Sequence, residues 1–165
     1  MIESDYLKDN TAFVEKLRQI PTLEAFDEKE LQGALQLSKI REYKPGELIL
    51  EEGSYDNWIY FLISGKVRIV KQKEELSVLR RRGDVFGEMG IIDGSARSAS
   101  AYAVDQTVCL SIDASYIDRL SGNDKLAFCY ILFRVFAEIL ANRLRVTSEE
   151  LVRAKEEIER LRGEQ

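Results

Sequence analysis

Between Tyr43 and Ile112 the apolar residues fall in short runs and alternations, while from Asn123 to Arg162 they recur at steps of three and four. The first regime has the period of strands and the second that of a helix. Val67 and Ile69 alternate with Lys66 and Arg68, with Lys71 flanking, and Val108, Leu110 and Ile112 alternate with Cys109 and Ser111. Each pattern predicts a strand that buries one face. Pro45-Gly46, Gly53-Ser54, Ser64-Gly65, Glu74-Glu75, Gly83-Asp84 and Asp93-Gly94 mark the turns between such runs. Many short strands at this spacing predict a roll or a barrel.

Helical patterns flank this region. Ala12 to Gln19 reads as a short helix capped near Asn10 or Thr11 and stopped by Pro21. Asp27 and Glu30 have the spacing of a capping box, and Phe26 and Leu31 that of a hydrophobic staple, which predicts a second helix over 28–39. Asp113 is placed to cap a helical turn through Leu120 before Ser121-Gly122 breaks the chain. The last helix starts at Asn123 or Asp124 and runs to about Arg162, on the order of 55 to 60 Å at 1.5 Å per residue. Tyr130, Phe133, Ala137, Leu140, Leu144, Thr147, Leu151, Ala154, Ile158 and Leu161 form a four-three seam along it. Such a seam is that of a coiled coil and predicts a homodimer through this helix. The chain therefore reads as N-terminal helices over 1–42, strands over 43–122 and the long helix over 123–165, all one folding unit.

Composition narrows the function. At 165 residues and 45% apolar content the chain holds one core and hardly two. The longest apolar stretch, Trp58 to Ile63, is far short of a bilayer span and the N-terminus is not signal-like, so a cytoplasmic protein is expected, with no membrane partner. Cys109 and Cys129 lack metal-ligand spacing and read as buried thiols. A net charge of −5 argues against direct nucleic-acid binding. Histidine is absent, which removes the commonest acid-base group and metal ligand. No catalytic residue, metal site or cofactor is expected, and the chain is read as a non-enzyme.

The segment 83–101 interrupts the strands with small residues. Gly87 and Gly90 permit close backbone approach, and a helical turn beginning near Glu88 would aim free amides at an anion. Arg97 offers a bidentate donor to phosphate oxygens, and Glu88 suits a hydroxyl donor such as a ribose 2′-OH. A sugar phosphate satisfies both.

The order Phe86-Gly87-Glu88, a short loop, then Arg97 and small residues resembles the phosphate-binding cassette of the cyclic-nucleotide-binding domain family. Gly46, Gly53 and Gly65 fall where the family's roll turns, and the resemblance covers nearly the whole chain. It implies a mainly β fold with flanking helices, a β-roll of the double-stranded jelly-roll kind. It further implies that Glu88 receives the ribose hydroxyl, Arg97 the cyclic phosphate, and Gly87 and Ser98 the remaining phosphate contacts. Arg143 to Glu149 resembles the C-helix of the bacterial catabolite activators, or cAMP receptor proteins, within that family. By that likeness Thr147 meets the base and Ser148 the partner's nucleotide, with cAMP as the ligand and cGMP as the alternative. Ser98 is neither the Ala nor the Thr that many eukaryotic relatives place after the arginine.

The function expected is a cyclic-nucleotide-binding regulatory sensor that signals to an unknown effector protein through a ligand-coupled dimer. The activator-like C-helix would ordinarily lead into a helix-turn-helix, but the sequence ends at Gln165, so a DNA-reading element is expected to be absent. Two other readings stand beside this one: the sensor part of a transcription factor of the cAMP receptor type, and a dimeric interaction module without ligand.

Overall fold

A computed structural model describes residues 1–5, 7, 20–24, 26–36 and 38–163. The helix expected over Ala12–Gln19 lies outside them. The chain divides into two compact units, Met1–Ile131 and Leu132–Gln165.

The first helix, α1, spans Glu28–Leu35. Its capping box is formed in both directions: Glu30 N donates to Asp27 Oδ1 and Asp27 N donates to Glu30 Oε2, each at 2.8 Å. Phe26 and Leu31 are both buried. The helix does not run on to residue 39. Ser38–Tyr43 is instead strand β2, paired residue for residue from Ser38 with Ile112 to Tyr43 with Thr107, and this ladder overrides the weak local preference for helix.

The remaining strands are β1 (Ile2–Glu3), β3 (Leu48–Leu50), β4 (Trp58–Ser64), β5 (Val67–Lys71), β6 (Glu74–Leu79), β7 (Val85–Phe86), β8 (Ser100–Ala103) and β9 (Thr107–Asp113). They form two antiparallel sheets, β1-β2-β9-β4-β7 and β3-β8-β5-β6. Tyr43, Tyr60, Leu62, Phe86 and Cys109 of the first sheet share one buried cluster with Leu50, Val67, Ala101 and Ala103 of the second. Two facing antiparallel sheets around one core are the β-roll that the sequence implied.

Two details depart from the alternation rule. The turn between β5 and β6 is Gln72-Lys73, both at positive φ, and Glu74-Glu75 belongs to β6 opposite Lys71 and Val70. Strand β9 buries both faces: Cys109 and Ser111 stand opposite Leu62 and Tyr60, while Leu110 and Ile112 stand opposite Phe61 and Ile59, and all eight are buried. Small Cys and Ser side chains fit a closed interior as well as an open face, so their alternation with larger residues does not mark a solvated side. Burial pushes the Cys109 thiol up to about 12, and it stays protonated.

Helix α2 spans Glu88–Asp93, α3 Tyr116–Arg119 and α4 Gly122–Gly163. Along α4, the seam residues Leu144, Leu151, Ile158 and Leu161 of the second unit are exposed. Among the described residues no helix is long and apolar enough to cross a membrane.

Candidate functional site

Strand β7 pairs with Tyr60 and Phe61 at the edge of the five-stranded sheet, and the Phe86 ring stacks on Tyr60 at 5.0 Å. Burial pushes the Tyr60 phenol up to about 12, so this partner of the stack is neutral. The chain then turns at Gly87, with φ +83°, into α2. A Cβ at Gly87 would stand 3.0 Å from the Trp58 carbonyl and 3.1 Å from Arg97 Nη1. One at Gly90 would stand 2.9 Å from the Ser95 carbonyl. Both glycines leave room for the chain to fold back on itself, and at Gly87 the group that needs the room is the guanidinium of Arg97.

Arg97 is 4% exposed. Its Nε donates to Asp56 Oδ2 at 3.2 Å, and its Nη2 donates to Asp56 Oδ1, to the Asp56 carbonyl at 3.2 Å and to the Trp58 carbonyl at 2.6 Å. Nη1 donates to the Gly87 carbonyl. The backbone is braced as well, with Arg97 N on Ser54 O and Gly53 N on Arg97 O, each at 2.9 Å. A guanidinium this buried requires a counter-charge, because an unpaired cation in the interior costs several kcal/mol on the order-of-magnitude scale for buried ions. Asp56 supplies it.

The segment thus brings Gly87 and Arg97 together with Asp56 and Trp58, two residues that the sequence reading did not single out. Glu88 opens α2 beside Gly87 and is 2% exposed. Ser98 is exposed, its Oγ 3.6 Å from Met89 Sδ. Thr147 and Ser148 lie on α4 in the second unit, both exposed. Asp56 was hidden by distance along the chain: it stands 41 positions before Arg97. Its one local signal is a turn, the Trp58 amide donating to Asp56 Oδ1 at 2.8 Å, and that signal says nothing of a guanidinium.

A planar cation held by one carboxylate and three carbonyls, beside a buried glutamate and a glycine turn, is suited to exchanging one anion for another. Among the described residues no cluster of His, Cys, Asp or Glu is arranged to hold a metal ion.

Residues 40–124 match the family described as the cyclic nucleotide-binding domain. The chain belongs to that family. It is 33% identical over 138 residues to the cyclic AMP receptor protein of Thermus thermophilus, across 79% of this chain and 60% of that protein. It is 36% identical over 95 residues to a cGMP-dependent protein kinase of Eimeria tenella, across 58% of this chain and 9% of the kinase. The chain therefore spans only part of the length of either relative. Its fold is shared with a cyclic nucleotide-binding domain from Methylobacillus flagellatus at a TM-score of 0.74 and 19% identity, covering 86% of this chain and 83% of that one.

Proposed function

We propose that this chain is a non-enzymatic regulatory sensor that binds cAMP at the 83–101 cassette and reports occupancy to an effector protein through a homodimer built on α4. The observation that carries the reading is Arg97, a nearly fully buried guanidinium whose charge is balanced by a carboxylate beside the glycine turn at Gly87, within the residues that match the family. The cyclic phosphate takes over part of the guanidinium from Asp56, with Gly87 and Ser98 completing the phosphate contacts. Glu88 accepts the ribose hydroxyl. Because Arg97 and Glu88 are both buried, capture requires the cassette to rearrange, and that rearrangement is the signal. The exposed apolar seam of α4 supports the homodimer, since a row of such side chains on a long helix is the feature a second helix covers.

The longer match to a protein named for cyclic AMP supports cAMP as the ligand. One observation favours cGMP as a second reading: the shorter match, to a cGMP-dependent kinase, has the higher identity. Thermal unfolding with each nucleotide, and sedimentation of the same samples, tests the proposal. A ligand at about one hundred times its Kd stabilises the folded state by about 2.7 kcal/mol, so the midpoint rises with the preferred nucleotide, and the particle sediments as a dimer. No rise with either nucleotide contradicts the sensor reading, and a monomer with and without ligand contradicts the dimer.

A further inference from the structure

Trp58 is held by two arginines. Its carbonyl accepts from Arg97 Nη2 at 2.6 Å, and its indole lies under Arg41, whose Cζ is 4.0 Å from the ring centroid. Arg41 is itself 9% exposed, and its Nη1 donates to the Tyr60 hydroxyl at 3.0 Å. Tyr60 stacks on Phe86, the residue before the glycine turn. Arg41 thus packs on Trp58 and Tyr60, the two residues of β4 that meet Arg97 and Phe86.

What fixes Arg41 is the N-terminal strand. Its Nε donates to Glu3 Oε2 at 2.6 Å, and Lys39 Nζ donates to the other oxygen of the same carboxylate at 2.5 Å. Strand β1 is two exposed residues on the sheet edge, paired Ile2 with Glu42 and Glu3 with Arg41. It has little apolar burial to hold it, so charged contacts, with the Met1 ammonium on Glu47 at 2.6 Å, add to a short hydrogen-bonded pairing that continues through Ser4 N on the Ile40 carbonyl at 2.9 Å. Such a strand is a separable element, and its Glu3 carboxylate reaches the guanidinium that lies over Trp58.

We propose that Arg41 is a positioning residue for the cassette, loaded by Glu3, so that nucleotide affinity depends on the N-terminal strand. The inference rests on the cyclic-nucleotide reading given above. Arg41 sets the plane of Trp58 and the tilt of Tyr60, and through them the carbonyl that receives Arg97 and the ring that seats Phe86. Without the Glu3 carboxylate the guanidinium loses its charged acceptor, and the Trp58 ring loses the group that fixes it.

The test titrates cAMP and cGMP into wild-type protein, Glu3→Gln, Arg41→Met and the double variant. It follows emission from Trp58, the single tryptophan of the chain, and a thermal melt of each protein reports its folding. Each single change weakens nucleotide binding about fivefold and shifts the ligand-free Trp58 emission in the same direction. The double variant binds no more weakly than Arg41→Met alone, because Glu3 acts through Arg41. Should Arg41→Met fail to fold, Glu3→Gln on its exposed strand decides by the same affinity and emission readings. Binding by a folded variant within about twofold of wild type, or losses that add in the double variant, overturns the proposal while leaving the sensor reading intact. Absence of binding by wild-type protein overturns the sensor reading and this inference with it.

Discussion

At Gly87 the backbone takes a conformation that a side chain resists, in a space that a side chain would fill. Gly87→Ala places a Cβ at φ +83° against the Trp58 carbonyl and Arg97 Nη1. The expected cost is about 1 to 3 kcal/mol, read as a lowered midpoint in urea unfolding, together with weakened nucleotide binding because the same methyl crowds the guanidinium. An unchanged midpoint would mean that the cassette relaxes freely. Gly87, Glu88 and Arg97 were legible in the sequence because they sit within eleven residues of one another and their types are odd in a run of strands. Asp56 was not, because only the fold brings it to Arg97. The orientation of Ser98 was equally hidden, since a serine is at home on the surface or at a phosphate.

Among the elements, those set by local chemistry were legible and those set by pairing were not. Asp27 and Glu30 announce the start of α1 through hydrogen bonds that reach only three residues. Its end at Leu35 is decided by the ladder with Thr107–Asp113, some seventy residues away in sequence, which no local pattern encodes. The β5–β6 hairpin shows the same limit: Gln72 and Lys73 take φ of 51° and 74°, where Asn and Gly are preferred, so the turn carries no turn signature. This mismatch has a consequence for stability. Replacing Gln72-Lys73 by Asn-Gly is expected to stabilise the fold by about 1 kcal/mol in chemical unfolding, because the two-residue turn needs positive φ at both positions. A loss of stability would show that the native side chains make contacts that outweigh the backbone strain.

For the molecule as a whole, the absence of histidine and the acidic balance argue against catalysis and nucleic-acid binding, and the alternation of short strands predicts a roll. The fold bears out the roll, and segment 83–101 lies within residues 40–124 that match the family. Residues 144–163 of α4 are exposed on every face, so the homodimer expected from the four-three spacing is a matter for solution measurement. In the proposed sensor, Arg97 exchanges the Asp56 carboxylate for the phosphate of a cyclic nucleotide. The most direct test is calorimetric titration of the purified chain with cAMP and cGMP, beside Arg97→Ala. Removing a charge-assisted contact to phosphate is expected to weaken binding by at least about tenfold, with the tighter nucleotide naming the ligand. Absence of heat from folded wild-type protein with either nucleotide, or equal affinity in the folded Arg97→Ala protein, would contradict it.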